Sequence, residues 1–363
     1  MRAKAYAPGR VELLGNHTDY NEGVVLGAAI DRGLSIIGEN REEDLITINS
    51  MSMGRAEVRC KELRAQTKQP WVNYALGVIN ELRSLGIPIA GFSVDLDGNL
   101  PAGSGLSSSA AFEVATAFFL LKLHQRELPR LEIAKACQRA EREFVGVQSG
   151  LLDQVTSIFG RADHAVFFDA RTEEVRTIRF PRNVALIVAE TNCKRQLSDG
   201  FYNERVKETR AAADALGVRA LRDVSSEQLK KSGLPSLLSR RAAHIVGENE
   251  RVWRALDLLA QDDGSGFGAL MNESHESSRN NFDNSSAELN LLVEIARGMP
   301  GVLGARLTGA GFGGATITLC EEKRANSVAE ELARAYAART KLQSQTFVCK
   351  IGNGADSWLI SKK

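Results

Sequence analysis

Leu100-Pro101-Ala102-Gly103-Ser104-Gly105-Leu106-Ser107-Ser108-Ser109-Ala110-Ala111 is a glycine-rich turn, then three serines, then an apolar run of helical character. That order builds an anion cradle. Glycines let the backbone turn tightly and approach a ligand closely. The unpaired N–H groups at the start of the helix then point at one spot, where the helix dipole favours negative charge. Serine hydroxyls add donors and a possible ligand for a hard cation such as Mg2+. A serine-capped helix after an ordinary loop needs only one such residue; three, after two spaced glycines, favour the cradle.

Upstream, residues 92–96 alternate as a half-buried strand and run straight into this turn. Residues 2–60 read as strands and turns, including 33–38 and 45–49, and 71–85 as an amphipathic helix. Helices are expected over 107–123 and 130–144, and strands over 165–169 and 184–190. Beyond residue 190 the character turns helical, at 203–216, 240–260, 286–297 and 332–338. Strands are expected at 302–307 and 315–319, and an extended tail at 346–351. This mixed order argues for an α+β fold over a regularly alternating sheet. We place a boundary near 180–195, giving domains 1–185 and 186–363.

The bulk properties are those of a soluble globular chain. Of 363 residues, 43% are hydrophobic and 25% charged, with a formal net charge of +1. No global field recruits nucleic acid or an anionic membrane. Cys60, Cys137, Cys193, Cys320 and Cys349 are odd in number and widely spaced, without a C-x-x-C pair. That argues against a zinc knuckle and suits a reducing cytoplasm. The N-terminus lacks the apolar core of a signal peptide. The most apolar stretch, 110–123, carries Glu113 and Lys122 and is too short to span a bilayer.

A second turn, Gly309-Ala310-Gly311-Phe312-Gly313-Gly314, formally matches G-x-G-x-x-G. A dinucleotide site would open a helix there, but Ala315-Thr316-Ile317-Thr318-Leu319 follows and is β-like. A second site-lining turn between strands fits better. No Gly-Lys pair occurs, so there is no Walker A loop.

The N-terminal stretch Pro8-Gly9-Arg10-Val11-Glu12-Leu13-Leu14-Gly15-Asn16-His17-Thr18-Asp19-Tyr20 is dense in hydrogen-bonding groups. Polyols need such density, since each hydroxyl both donates and accepts. Arg10 supplies a fixed charge suited to a phosphoryl oxygen. Farther on, Gly150-Leu151-Leu152-Asp153-Gln154 sets one carboxylate in an apolar frame, where it needs a partner or a task.

Pro8–Tyr20, Pro101–Ala111 and Leu307–Gly314, in that chain order, resemble the three motifs of the GHMP kinase superfamily. The first, Gly9-Arg10-Val11 followed by Gly15-x-His17-Thr18-Asp19-Tyr20, is similar to that of its galactokinase family. Trp71-Val72-Asn73-Tyr74 and residues 150–154, 241–251 and 267–277 add support, so the similarity runs over almost the whole chain. The resemblance implies a two-domain fold, the first domain like ribosomal protein S5 domain 2 and the second ferredoxin-like, with the site in the cleft between them. It implies a cytoplasmic, ATP- and Mg2+-dependent sugar 1-kinase, best matched to galactose, with a monomer favoured and no nucleic acid or membrane partner.

Carried over by position, the resemblance makes Asp153 the group that takes or orients the proton of the anomeric hydroxyl, with Arg10 beside it. Ser109 and Glu141 would ligate Mg2+. The backbone of Gly103, Ser104, Gly105, Leu106, Ser107 and Ser108 would hold the ATP phosphates, and Trp71 and Tyr74 would border the adenine. Asn16, His17, Asp19, Gly150 and Tyr202 would contact the sugar. One departure stands out. Galactokinases usually carry Asn where this chain has Glu12, and Glu where it has Asn16; that Glu accepts from the hydroxyl at the C6 end. A kinase for arabinose, galacturonate or an N-acetylhexosamine therefore stays open, as does a catalytically silent sugar sensor.

Overall fold

Two long antiparallel strands, β1 (Arg2–Leu14) and β2 (Val24–Asn40), form the spine of the first unit. Ala3, Ala5 and Ala7 alternate inward at full burial, as a one-sided strand requires, whereas from Ala7 to Leu14 both faces of β1 are covered. The structure is a computed structural model that describes residues 1–101, 105–193 and 198–361.

Strands β3 (Leu45–Ser50), β4 (Gly54–Arg59), β5 (Phe92–Gly98), β6 (His164–Asp169) and β7 (Val175–Arg179) complete most of the first sheet. The far half of β2 pairs with β5 and its near half with β6, so this one strand serves both branches of the sheet. Only β3 and β5 run parallel. Helices α1 (Asn73–Ser84), α2 (Ser108–Leu123), α3 (Arg130–Arg139) and α4 (Leu152–Phe159) cover the sheet. Helix α2 is apolar all round and buried along nearly its whole length, because it lies between β1 and β2 on one side and α1, α3 and α4 on the other. That central position fixes its N-terminus at Ser107 and Ser108.

The second sheet holds β8 (Val184–Glu190), β9 (Val302–Thr308), β10 (Ala315–Glu321) and β11 (Thr346–Cys349), all antiparallel, in the order β11-β8-β10-β9. Helices α5 (Ser198–Ala215), α6 (Ser226–Lys230) and α7 (Ser236–Ala260) form a separate helical cluster beside α8 (Gly264–Ser277), which packs on this sheet with α9 (Ala287–Arg297) and α10 (Ala325–Thr340). A last strand, β12 (Asp356–Leu359), crosses back and pairs antiparallel with β1, so residues 356–359 belong to the first sheet. The architecture is the α+β arrangement expected, and G-x-G-x-x-G lies between β9 and β10, opening no helix.

The helix expected over 130–144 stops as a regular α-helix at Arg139 and continues as a π-helical turn, Ala140–Val145. That wider turn carries Glu141. Such single turns within helices are found frequently at functional sites. Helix α10 begins well before the expected 332, and α4, α8, β7 and β12 were not anticipated.

The two units meet at the end of β1. Arg306 of β9, fully buried, donates to the Leu13 carbonyl at 2.8 Å and to Glu12 Oε1 at 3.0 Å. The Thr308 hydroxyl accepts from the Glu12 N–H at 2.8 Å. This junction forms the floor of the cleft.

Candidate active site

Asp153, in the first turn of α4, stands where the two loops converge. Arg10 reaches its Oδ1 through both Nε and Nη2, each at 2.7 Å, and donates from Nη1 to the Gly105 carbonyl at 2.6 Å. The Ser107 hydroxyl donates to Asp153 Oδ2 at 2.5 Å. Ser107 holds a left-handed φ of 59° at the entry to α2, a conformation that costs a non-glycine residue energy and persists where surrounding contacts impose it. One guanidinium and one hydroxyl thus tie the strand, the glycine–serine turn and the carboxylate into a single unit. Leu106 does not join the cavity wall. Its side chain is buried in the core and its carbonyl accepts from the Arg10 N–H at 3.1 Å. The residues Gly103 and Ser104, expected on phosphate, lie outside the described residues.

The N-terminal loop is held from behind. Glu248 of α7 accepts from the N–H groups of Gly15 and Asn16, both at 2.8 Å, and from Arg251 Nε at 2.7 Å. Burial opposes the Glu248 charge, but Arg251 and Arg306 outweigh it and hold the carboxyl well below the usual range. His244 reaches the Asn16 carbonyl at 3.1 Å through Nε2. His17 meets the Ala310 carbonyl at 3.0 Å and the Tyr20 hydroxyl at 2.9 Å, so the second glycine turn closes over this loop. Burial lowers the His17 pKa to about 4 and keeps the ring neutral.

Asp19 faces Gly150. It accepts from the Tyr20 N–H at 3.0 Å and the Leu152 N–H at 3.3 Å, and burial raises its pKa. A Cβ at position 150 would fall 1.7 Å from Asp19 Oδ2, so only glycine allows the approach. Tyr202 of α5 packs its ring 5.0 Å from that of His17 and 5.7 Å from that of Tyr20. Burial, first of all, raises its phenol pKa well above the usual value.

The expected sugar contact Asn16 is corrected by its surroundings. The side chain is fully buried and off the cavity wall, and both amide ends are engaged: Nδ2 donates to Glu12 Oε1 at 2.8 Å and to the Gly309 carbonyl at 2.9 Å, and Oδ1 accepts from Asn284 at 2.9 Å. Glu12 is the residue that lines the cavity there. Burial pushes its pKa up to about 7 against the pull of Arg306, Arg10 and Asn16.

Glu141 and Ser109 share the cavity wall near Asp153. Glu141 Oε2 accepts from the Ser149 hydroxyl at 2.5 Å and from Gln154 at 3.2 Å, while Oε1 receives no donor among the described residues. Burial pushes the Glu141 pKa up to about 7. A carboxylate and a hydroxyl, both hard oxygen donors, fit Mg2+, which takes one or two protein ligands and completes its shell with water and phosphate. Ser149 and Gln154, which orient Glu141, escaped the sequence reading. So did Glu113, buried inside α2, whose pKa is raised well above normal by burial and by Glu141, and which accepts from Gln154 at 3.0 Å. Its only sequence signal was a lone acid in an apolar run.

A cavity of about 580 Å³ gathers most of the residues expected at the site. Arg10, Glu12, His17, Asp19, Gly150, Asp153 and Tyr202 lie on its wall, as do Gly105, Ser107, Ser108, Ser109 and Glu141. An apolar extension adds Trp71, Tyr74, Leu96, Phe112 and Met53, with the Trp71 and Phe112 rings 6.1 Å apart. No helix among the described residues is long and apolar enough to cross a membrane.

The chain is similar to known proteins over most of its length. Residues 73–161 match the GHMP kinases N terminal domain, residues 255–338 the GHMP kinases C terminal, and residues 3–39 the galactokinase galactose-binding signature. A galactokinase of Roseiflexus sp. (strain RS-1) is 39% identical over 355 residues, covering 96% of this chain and 91% of the relative. A galactokinase of Thermotoga neapolitana is 37% identical over 344 residues, covering 94% and 96%. The crystal structure of Lactococcus lactis galactokinase complexed with galactose superposes with a TM-score of 0.94 at 32% identity, covering 98% of this chain and 94% of that one. A mevalonate kinase structure at 22% identity and a TM-score of 0.69, covering 96% and 99%, shares the fold. With its cleft, its three motifs and its relatives in agreement, the chain belongs to the galactokinase family of the GHMP kinases.

Proposed function

We propose that this protein transfers the γ-phosphoryl group of ATP to the anomeric hydroxyl of D-galactose, giving galactose 1-phosphate and ADP. The observation that carries the reading is the position of Asp153. It is bonded at once to Arg10, which reaches the Gly105 carbonyl, and to Ser107 at the start of α2, and it lines the same cavity as Asp19 and His17.

In this reading Gly105, Ser107 and Ser108, with Gly103 and Ser104 of the same turn, receive the ATP phosphates at the positive end of α2. Trp71 and Tyr74 border the adenine in the apolar extension. His17, Asp19, Gly150 and Tyr202 hold the ring hydroxyls, and Asp19 contributes a charged acceptor that Gly150 leaves room for. Asp153 accepts the proton of the anomeric hydroxyl as that oxygen attacks the γ-phosphorus and the bond to the ADP oxygen breaks. Arg10 holds Asp153 oriented and meets charge developing on the transferred group. Ser109 and Glu141 would hold Mg2+, which when bound neutralises charge on the phosphate oxygens. Positioning and electrostatics supply the rate, as in phosphoryl transfer generally.

The test is a panel of sugars incubated with MgATP, with ADP release and the phosphorylated product both followed. Galactose 1-phosphate formation is expected. ADP release on another sugar and none on galactose would overturn the substrate. Binding of both galactose and ATP without transfer would make the protein a silent sensor.

A further inference from the structure

The exchange of residue types at positions 12 and 16 is not a loss of function at one place. The two side chains touch: Asn16 Nδ2 donates to Glu12 Oε1 at 2.8 Å. The amide has no donor hydrogen left, because its second goes to the Gly309 carbonyl, and it is sealed from the cavity. Glu12 differs on both counts. Its Oε1 takes Asn16 and Arg306, its Oε2 takes no donor among the described residues, and the residue lies on the cavity wall.

Position along β1 says which part of a sugar it meets. Arg10 and Glu12 are two residues apart and both side chains line the cavity, one strand repeat or about 6.8 Å along the chain. Arg10 holds Asp153, where the proposed function places the anomeric oxygen. Glu12 therefore stands towards the opposite side of the ring, within reach of the exocyclic C6 hydroxyl, whose rotatable bond lets it meet a fixed acceptor. Of the other acids near the sugar, the proposed function assigns Asp153 to the anomeric hydroxyl and Asp19 to the ring hydroxyls beside Gly150.

We propose that Glu12, and not the side chain at position 16, accepts the C6 hydroxyl hydrogen of the sugar in this protein, with Asn16 and Arg306 as its positioning residues. This rests on the galactose 1-kinase reading. It carries a consequence for specificity: a sugar with a carboxylate at C6 meets a like charge and is rejected, whereas one lacking the hydroxyl loses a charge-assisted hydrogen bond.

The experiment is the ratio of kcat/KM for D-galactose to that for 6-deoxy-D-galactose, measured at pH 8, above the pKa of about 7 to which burial pushes Glu12. Both sugars are assayed on one preparation, so the folded fraction cancels. Wild type is expected to favour galactose at least about 10-fold, the worth of a hydrogen bond to a charged group. Glu12→Asn, one methylene shorter, should bring the ratio close to one. A wild-type ratio retained in Glu12→Asn overturns the assignment. Wild type alone gives a reading independent of variant folding: galacturonate should be used at least about 100-fold less efficiently than galactose, and equal use contradicts the proposal. No turnover of galactose by wild type would overturn the function itself, a result distinct from an active enzyme whose ratio ignores Glu12.

Discussion

Arg10 Nε and Arg10 Nη2 both lie 2.7 Å from Asp153 Oδ1, joining residues 143 positions apart. The planar fork of arginine matches one carboxylate oxygen with two donors and keeps a third, Nη1, for the Gly105 carbonyl. Lysine can reproduce the charge but not this three-way tie.

Arg10→Lys is therefore expected to lower kcat by about 100-fold, the scale of losing one preorganised donor to developing charge, while the KM for galactose changes much less. Steady-state kinetics with both substrates varied checks this. Equal kcat in the variant would remove Arg10 from the reacting geometry.

Gly150→Ala tests the sugar side in isolation. The new Cβ would overlap the Asp19 carboxylate, at 1.7 Å from Oδ2, and must push it aside. The KM for galactose should rise at least about 10-fold, as for a lost hydrogen bond to a charged group, with the KM for ATP near its wild-type value. Unchanged galactose affinity would show that Asp19 is not a sugar ligand.

Short contiguous stretches carried most of the candidate site in the sequence, because the local geometry of each survives without tertiary information. Arg10, Asp153, Ser109, Glu141, Asp19 and His17 do come to one cavity. Asn16 was misplaced because a side chain's direction in a loop depends on what lies behind it. Here Gly309, Asn284 and Glu248 arrive from residues more than two hundred positions away. Helix α8 hid behind Gly264, Gly266 and Gly268, residues of poor helix propensity. Gly268 is needed there because a Cβ would stand 2.4 Å from the Leu303 carbonyl oxygen of β9. Strand β12 is four mostly exposed residues at a sheet edge and has no periodic signal to read.

Glu248 supports the N-terminal loop without touching the cavity. Glu248→Gln leaves Arg251 without its buried charge partner and weakens the acceptor for two backbone N–H groups. Breaking such a pair from one side costs about 3 kcal/mol, read as a lower midpoint in chemical denaturation. An unaltered midpoint would mean that the loop is held by other contacts.

His244 gives a pH signature. Its ring is fully buried, and burial lowers its pKa to about 3, so the folded protein keeps it neutral while the unfolded chain protonates below about pH 6.5. The stability this side chain contributes is present above about pH 6.5 and declines as pH falls towards 3. The difference in unfolding free energy between wild type and His244→Gln should narrow by about 2 kcal/mol from pH 7 to pH 5. Groups common to both proteins, such as Glu12 and Glu141, largely cancel in that difference. A constant gap would contradict the buried neutral ring.

The most direct test is the rate of galactose 1-phosphate formation by Asp153→Asn under saturating galactose and MgATP. The asparagine keeps the shape but cannot take the proton. The expected result is a kcat lower by at least about 100-fold in a protein that stays folded and keeps a galactose affinity close to wild type. A variant that forms product at the wild-type rate would contradict the role of Asp153 in the transfer.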